Sequence, residues 1–451
     1  MNDGFALRCL SIVTAGLVAS LSLVSCGGGG VDNGGNIPIT TSFLRVVNTL
    51  TDSPTLVAGL DGTALTRVSY AQATGLQQLV AGKKALDVQY VDTAGRSVVL
   101  IDNEQIDLGI DDQTTVFLVG TVSTKRTKTV VNPVPDIASG NAEVQVMQAA
   151  ANAGTVDVYL TDAAADLAAA TKLTNLAYEQ ASALATVAPG TNYRLRVTAP
   201  GGTTALYDSG VFSIVAATRV MFVVVEYFGP GGNGFRVVQL SAQNASNFAN
   251  EVLPAAFRIA NMIADVAAVD MYIGAVAGTP AFQNVAFGSV AALQQFAAGT
   301  LLCTVTPAGN ATTRLFSGSV GLSPGGTRTL VVTGSGTDIG ARATVDPTRP
   351  ITGEGQLQIV NAAPSAASID TYLVAAGASI DNTIASVTNQ PPLAFAATRA
   401  SPGIFDVAIT PVSSKVPIVA PVQLAVADGG IYTVFAADTA GGQYRIIVTT
   451  N

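Results

Sequence analysis

An internal repeat is the feature that most constrains how this chain can fold. Four segments share an apolar stretch that ends in Asn or Gln, and nine positions later comes a site that is Asp in three of them. The segments are FLRVVNTLTDSPTLVAGLDG from Phe43, EVQVMQAAANAGTVDVYLTD from Glu143, AFRIANMIADVAAVDMYIGA from Ala256 and LQIVNAAPSAASIDTYLVAA from Leu357. Their anchors, Asn48, Gln148, Asn261 and Asn361, recur at intervals of roughly 100 residues, the size of a small domain. The repeat therefore predicts four similar units.

The four units fall into two pairs. The offset from Asn48 to Asn261 is identical to the offset from Gln148 to Asn361. A second landmark is an aromatic residue that stands twelve positions before a glycine, as in Tyr70–Gly82, Tyr178–Gly190 and Phe287–Gly299, whereas the fourth unit has Pro391 before Gly403. The regular offset indicates that a two-unit module was duplicated as a whole.

Each unit is composed of short runs with the residue types of β-strands. Runs such as RVMFVVVEYF, TLVVTG and YRIIVT are β-branched and aromatic, and Gly, Pro, Asn or Asp separates them. This pattern predicts an all-β chain of tandem antiparallel β-sandwiches, immunoglobulin-like or transthyretin-like, at 43–132, 142–242, 255–346 and 356–451. Polar or Pro/Gly-bearing linkers are predicted at 132–141, 241–254 and 346–356.

Two stretches carry their own local prediction. The Ala-rich segment DAAADLAAATKLTNLAYEQASALA from Asp162 has good helix propensity, which favours a short helix packed on the second unit. The segment GPGGNG, 229–234, lies between two apolar runs and predicts a hairpin loop.

The N-terminal residues indicate export and anchoring. The apolar stretch LSIVTAGLVASLSLV, from Leu10 to Val24, is too short to span a membrane and is typical of a secretory signal over residues 1–25. Leu23-Val24-Ser25-Cys26 resembles the lipobox of bacterial lipoproteins, which implies cleavage before Cys26 and a lipid on its thiol. Gly27, where that family can carry Asp, implies sorting to the outer membrane, and the alternative is an ordinary signal peptide. The glycine-rich stretch 26–42 is predicted to be a flexible tether.

Composition excludes several classes of function. The net charge is −8 and no long basic block occurs, which argues against nucleic-acid binding. The chain contains no His, so it lacks Ser-His-Asp and Cys-His catalysis and the commonest transition-metal ligand. Cys303 would be the single thiol left after export and lipidation, and its alternating setting predicts a buried, unreactive side chain.

The repeated acids are the first candidates for chemistry. Asp157, Asp270 and Asp370 each precede a tyrosine by two positions, namely Tyr159, Tyr272 and Tyr372. One interpretation is a repeated ligand site. The favoured one is a carboxylate that accepts backbone N–H bonds in the preceding turn, because each Asp recurs with a strand and not with other acids. Alternation places each Asp and its Tyr on one face of the strand.

Two further stretches contain residue types that occur in metal or cofactor sites. DNEQIDLGIDD, 102–112, holds five acids, but the spacing lacks the D-x-[DN]-x-[DN]-G calcium pattern and favours a solvated loop. TLVVTGSGTDIGA, 329–341, superficially resembles a dinucleotide loop, but prolines at 347 and 350 leave no room for the helix that would face a pyrophosphate. A β-hairpin is predicted there, and neither a metal site nor a cofactor is expected.

The repeated motifs suggest a family. An opening R-V-x-N, an Asp-x-Tyr some nine positions later and the aromatic-to-glycine spacing are similar to the bacterial domain-of-unknown-function 4397 (DUF4397) group, over nearly all of 43–451. The resemblance implies β-sandwich domains on secreted proteins and lipoproteins, often in tandem, and carries no activity. The first unit departs from the pattern, because Val57 and Gly59 stand where the others have Asp and Tyr.

These observations together favour a non-enzymatic, lipid-anchored outer-membrane protein that acts as an interaction, adhesion or spacer module. Its expected partners are the membrane, through the lipid on Cys26, and an envelope or extracellular partner. One alternative is a carbohydrate- or other ligand-binding module, which needs the repeated tyrosines to be exposed. Another is a carboxylate-dependent hydrolase, which needs two acids in one cleft. The low charge and short linkers also predict that the four units pack against one another.

Overall fold

A computed structural model describes residues 40–230, 234–242 and 245–451 of the protein. The described chain contains 36 β-strands and three short 3-10 helices, and residues Thr40–Asn451 form one compact unit. The predicted signal peptide, Cys26 and the tether as far as residue 39 lie outside the described residues. The strands form eight sheets that pair into four sandwiches, which confirms the predicted all-β fold.

The first module consists of sandwiches 1 and 2. The strands of sandwich 1 are β1 (Thr41–Asn48), β2 (Leu56–Leu60), β3 (Thr63–Val68), β4 (Gln72–Ala73), β5 (Gln77–Val80), β6 (Gly82–Val91), β7 (Ser97–Leu108), β8 (Asp112–Val119) and β9 (Arg126–Pro133). Those of sandwich 2 are β10 (Ala142–Gln148), β11 (Val156–Asp162), β12 (Thr174–Leu176), β13 (Ala185–Val187), β14 (Gly190–Thr198), β15 (Tyr207–Asp208), β16 (Phe212–Ile214), β17 (Arg219–Tyr227), β18 (Gly234–Leu240) and β19 (Ala245–Phe248).

The second module consists of sandwiches 3 and 4. The strands of sandwich 3 are β20 (Ala255–Ile263), β21 (Ala268–Ile273), β22 (Phe282–Ala286), β23 (Ser289–Val290), β24 (Gln294–Phe296), β25 (Gly299–Pro307), β26 (Phe316–Leu322), β27 (Thr327–Ser335) and β28 (Asp338–Val345). Those of sandwich 4 are β29 (Gly355–Ala362), β30 (Ile369–Ala375), β31 (Val387–Gln390), β32 (Phe395–Ala400), β33 (Gly403–Pro411), β34 (Val422–Val426), β35 (Ile431–Asp438) and β36 (Tyr444–Thr450). The 3-10 helices are Ala151–Ala153, Leu167–Ala169 and Pro364–Ala366.

Every sandwich repeats the same two sheets. The first-strand sheet contains the opening strand of the unit, in the orders β4-β1-β8-β9, β13-β10-β17-β18-β19, β23-β20-β27-β28 and β32-β29-β35-β36. The second-strand sheet contains the next strand, in the orders β3-β2-β6-β7, β12-β11-β14-β15, β22-β21-β25-β26 and β31-β30-β33-β34. One pair in each first-strand sheet is parallel: β1 with β8, β10 with β17, β20 with β27 and β29 with β35. The pairings are otherwise antiparallel, as the sequence predicted, and the parallel pair arises where the end of each unit returns beside its first strand.

Burial explains why the two kinds of sheet have different sequences. The outer faces of the first-strand sheets pack against each other within a module, so their inner strands are buried on both sides, as β20 is along its whole length. Strands covered on both faces have near-continuous apolar sequences. Strand β7, in a second-strand sheet, instead alternates between buried and exposed residues because one of its faces meets solvent.

Two apolar interfaces therefore join the sandwiches in pairs. In the first module, Phe117 and Val47 of sandwich 1 contact Met147, Val223 and Leu240 of sandwich 2. In the second, Met262 and Val331 of sandwich 3 contact Val360, Phe435 and Ala437 of sandwich 4. Each interface removes apolar surface from water in addition to the cores within the sandwiches. Packing between units, expected from the low charge, is thus present within each module.

Two local predictions are confirmed and two are wrong. Strands β17 and β18 pair antiparallel across the predicted 229–234 loop, of which 231–233 lie outside the described residues, and β27 and β28 form the hairpin expected at 329–341. The Ala-rich segment forms only the 3-10 helix Leu167–Ala169, because β12 and β13 draw the rest into pairing with β11 and β10. The acidic stretch 102–112 is mainly strand β7 and not a loop, since it pairs with β6.

Candidate functional site

The repeated aspartates hold backbone turns in place. Asp270 on β21 accepts hydrogen bonds from the N–H groups of Asn284 (2.7 Å) and Gly309 (2.8 Å), one to each carboxylate oxygen. Asp370 on β30 does the same with the N–H groups of Asn389 (2.7 Å) and Ser413 (2.9 Å). The two acids are buried, and each connects the neighbouring edge strand, β22 or β31, to the loop that follows β25 or β33.

Asp157 has the same function with a different set of donors. Its carboxylate accepts from the N–H of Gly201 (2.8 Å) and the amide of Asn175 (2.6 Å), and Lys172 Nζ lies 3.1 Å away. Burial acts to raise the pKa of Asp157, but these hydrogen bonds and Lys172 outweigh it and lower the pKa below its usual range. The predicted role as an acceptor of backbone N–H bonds is confirmed. The predicted position of the donors is wrong, because they follow each Asp in sequence by 14 to 44 residues instead of preceding it.

The donors share a left-handed backbone conformation. Asn284, Gly309, Asn389 and Ser413 all have positive φ angles, between 49° and 73°. All four residues are themselves exposed, whereas Asp270 and Asp370 are buried, and a buried carboxylate without partners is costly. The left-handed residues supply each Asp with two N–H donors, one from an irregular edge strand and one from a loop.

The anchor residues of the repeat have a similar role. Asn48, Gln148, Asn261 and Asn361 are fully buried, and each accepts through its side-chain oxygen from the backbone N–H two residues later. Their amide nitrogens donate to carbonyls of neighbouring segments, as Asn261 does to Val285 (2.9 Å). The first strand of each sandwich therefore carries, at its end or within two residues of it, a buried amide that bonds to the backbone where the chain turns.

The repeated tyrosines are buried instead of exposed. Tyr159, Tyr272 and Tyr372 are 9%, 7% and 3% exposed. The ring of Tyr372 lies under Lys415, whose Nζ is 4.4 Å from the ring centroid. A ligand-binding module that stacks its ligand on these rings would need them in solvent, so that alternative loses the feature on which it depended.

The remaining predicted positions carry no assembled chemistry. Cys303 is fully buried and burial raises the pKa of its thiol to about 11, as expected of an unreactive side chain. Among the residues that the structure describes, no three acids or thiols form a group suited to a metal ion. Asp87 and Asp102 line one cavity of about 320 Å³ in sandwich 1, and Asp87 accepts a hydrogen bond from the backbone N–H of Asn103 (2.9 Å).

The two modules also meet through the segment between sandwiches 3 and 4. Arg349 donates to the carbonyls of Thr51 and Ser53, both at 3.0 Å. Thr352 donates through its N–H to the carbonyl of Asp52 (2.8 Å) and through its hydroxyl to the Asp52 carboxylate (2.5 Å). A segment predicted to be a linker is thus fixed on a loop of sandwich 1. No helix within the described ranges is long and apolar enough to cross a membrane.

Comparison with known proteins identifies related domains. The family model described as "Domain of unknown function (DUF4397)" matches residues 42–159 and 255–372, which together are just over half of the chain. The offset between the two segments equals that of the internal repeat, and each extends from the start of a module to the Asp-x-Tyr strand of its second sandwich. None of the curated proteins matches the chain. Among solved structures, the Bacillus anthracis TIE protein matches with a TM-score of 0.16 and 10% identity, over 88% of this chain and 68% of that one.

Proposed function

The chain belongs to the DUF4397 family, and we propose that it is a non-enzymatic, lipid-anchored cell-envelope protein whose two modules act as an interaction, adhesion or spacer unit. The lipid would be attached to Cys26, and the outer membrane is the proposed location. The proposed protein has two parts: a lipid anchor, which the sequence supports, and a folded body, which the structure describes.

The observation that carries the non-enzymatic part is how the repeated polar residues are used. In Asp270 and Asp370, both carboxylate oxygens accept hydrogen bonds from backbone N–H groups, and the anchor amides are fully buried. Repeated polar groups that are buried and already bonded to the backbone are poorly placed to bind or transform a substrate. The repeat thus reproduces a requirement of the fold.

The spacer part is supported by the contacts between sandwiches. Apolar interfaces join the sandwiches within each module, and Arg349 and Thr352 fasten the second module to a loop of the first. A body joined in this way keeps its surfaces in fixed relation, as a scaffold or adhesive module requires. An anchor made of several acyl chains on one Cys would hold it stably, at about 0.8 kcal/mol for each buried methylene.

Metabolic labelling of cells with a fatty-acid analogue tests the anchor. We expect label and membrane association in the full-length protein and the loss of both in Cys26→Ala. Cys303→Ala is the matched control, because that thiol is buried, and it should remain labelled. Unlabelled wild-type protein, or membrane association that survives in Cys26→Ala, would overturn the lipid anchor.

Protease treatment of intact cells then tests on which side of the outer membrane the protein lies, and so whether it acts in adhesion or in scaffolding. Digestion of the anchored protein on intact cells supports adhesion or matrix binding. Protection until the outer membrane is opened supports scaffolding within the periplasm. Recovery of the protein in the cytoplasm would contradict an envelope function of either kind.

A further inference from the structure

A cavity of about 270 Å³ lies where both modules meet, and three arginines line it. Arg236 comes from β18 of sandwich 2, Arg349 from the segment between sandwiches 3 and 4, and Arg399 from β32 of sandwich 4. Two tyrosines also line the cavity, Tyr70 from sandwich 1 and Tyr227 from β17. Four distant parts of the chain therefore converge on one basic cavity.

Arg236 is the least satisfied of the three. Its Nε is buried without a hydrogen-bond partner, and no carboxylate within the described residues forms an ion pair with it. Its guanidinium carbon lies 5.8 Å from the ring centroid of Tyr70 and 6.0 Å from that of Tyr227. Stacking on aromatic rings stabilises a cation, but rings supply no in-plane acceptor for its five N–H donors.

The other two arginines leave the cavity with excess positive charge. Arg349 donates to two main-chain carbonyls and lies 4.9 Å from the Tyr70 ring centroid, but it has no carboxylate partner among the described residues. Arg399 pairs with Glu354 at 2.7 Å. Glu226 also lines the cavity, and its carboxylate accepts from the backbone N–H of Asn152 (3.1 Å).

The pKa of Arg349 is affected by burial and by the charged groups around it. Burial lowers the pKa of Arg349, and the charges of Arg399 and Arg236 lower it further, while Tyr70 and Asp52 act in the opposite direction. Gathering like charges in a partly buried place is unfavourable unless an anion shares the site. A guanidinium presents paired N–H groups that match the oxygens of a carboxylate, sulfate or phosphate.

We propose that this cavity binds a small ligand through one oxyanion group, which Arg236, Arg349 and Arg399 hold while Tyr70 and Tyr227 contact its apolar side. The volume lies just below the range of pockets that hold drug-sized ligands, so it suits a free oxyanion or a single acidic sugar residue. The site forms only when both modules are present, because its arginines come from both. The inference does not depend on where the protein is located.

Isothermal titration calorimetry of the full-length protein at low salt tests the proposal with named probes. These are inorganic phosphate, sulfate and galacturonate, with galactose as the neutral counterpart of galacturonate. We expect saturable binding of at least one anion and none of galactose. Similar affinities for all three anions would identify the oxyanion alone as the ligand, and a preference for galacturonate would identify an acidic sugar.

Three variants decide whether the binding takes place in this cavity. Arg236→Gln and Arg399→Gln should each weaken anion binding at least tenfold, and Arg314→Gln, an exposed arginine of sandwich 3, should leave it unchanged. Arg399 is half-exposed, so its variant keeps the test valid even if Arg236→Gln unfolds. Absence of saturable binding for every anion, or binding that survives Arg399→Gln unchanged, would overturn the proposal.

Discussion

The two modules have the same arrangement of strands, but a buried arginine at equivalent positions has different partners in each. Arg45 on β1 and Arg258 on β20 are equivalent positions of the duplication, and both are buried in first-strand sheets. Arg258 forms an ion pair with Asp346 at 3.1 Å and bonds to Thr329 and Asn451. Arg45 donates to Thr115, to the carbonyl of Ser241 and weakly to Met221, all of them neutral.

The difference arises in the segment that leaves the sandwich. Asp346 follows β28, whereas the equivalent position at the end of β9 is Pro133, which has neither charge nor N–H. Without a carboxylate, burial and then the neighbouring charge of Arg219 lower the pKa of Arg45 to about 10. Asp346 in turn has its pKa raised by burial, against the opposing effects of Thr329 and Arg258. The comparison teaches that the repeat conserves the place of a buried cation but not the way in which it is neutralised.

A second difference lies in the second-strand sheets. Sandwich 3 has Asp270 at the position where sandwich 1 has Val57. Sandwich 1 uses Asp87, on the neighbouring strand β6, to hold the backbone N–H of Asn103. Sandwich 1 therefore lacks the repeated Asp that is present in the other three sandwiches.

The largest expected effect is that of Arg258→Met. Asp346, whose side chain is 2% exposed, would keep a buried carboxylate without its cation, which costs about 3–5 kcal/mol of the free energy of unfolding. Urea unfolding of the full-length protein, with hydrogen exchange of β20 to locate the change, measures it. The double variant Arg258→Met/Asp346→Leu should recover most of the loss, and a loss that persists in it would contradict this account.

Asp270→Ala should have an intermediate effect. It removes the acceptor of two backbone N–H groups at once, but both groups belong to exposed residues that water can reach, so we expect a total loss of about 1.5–3 kcal/mol. Hydrogen exchange at Asn284 and Gly309 should accelerate. Val57→Ala is the matched control in sandwich 1, because the Val57 side chain cannot accept hydrogen bonds, and equal losses in both variants would show that the carboxylate is not what matters.

The smallest effect is expected for Arg45→Met. No carboxylate is left unpaired, and methionine can fill the space beside Met221, so only the neutral hydrogen bonds are lost, at about 1 kcal/mol each or less. The same urea experiment measures it beside Arg258→Met. A loss as large as that of Arg258→Met would erase the distinction between the two modules.

Particular residues show which features of the fold can be predicted from the sequence. Polar and apolar residues alternate in 192–198, which places Leu195 and Val197 on one face of a strand, and both are in the core of sandwich 2. The parallel pairs could not be predicted, because alternation shows which face a residue takes but not which strand lies beside it. Helix propensity in the Ala-rich segment was overridden by strand pairing at Thr174–Leu176 and Ala185–Val187.

The arginine cavity could not be predicted from the sequence, for a different reason. Arg236, Arg349 and Arg399 stand singly in unrelated segments, and nothing in their local pattern distinguishes them from surface arginines. Only the packing of one module on the other brings them together. Local motifs, by contrast, revealed Asp157, Asp270 and Asp370, because each recurs at a fixed distance from its anchor.

The parallel pairs also set the order in which the protein can fold as it is made. Phe43 pairs with Gln113, so β1 must wait for most of its unit to be made before its permanent neighbour exists, and the same delay recurs in each sandwich. Contacts so distant in sequence form slowly, on a scale of about milliseconds to seconds. Until then, strands such as RVMFVVVEY, which the finished protein covers on both faces, have nothing to cover them. The newly synthesised chain is therefore the state most prone to aggregate, and a cell that makes this protein has to keep such chains apart until each unit is complete.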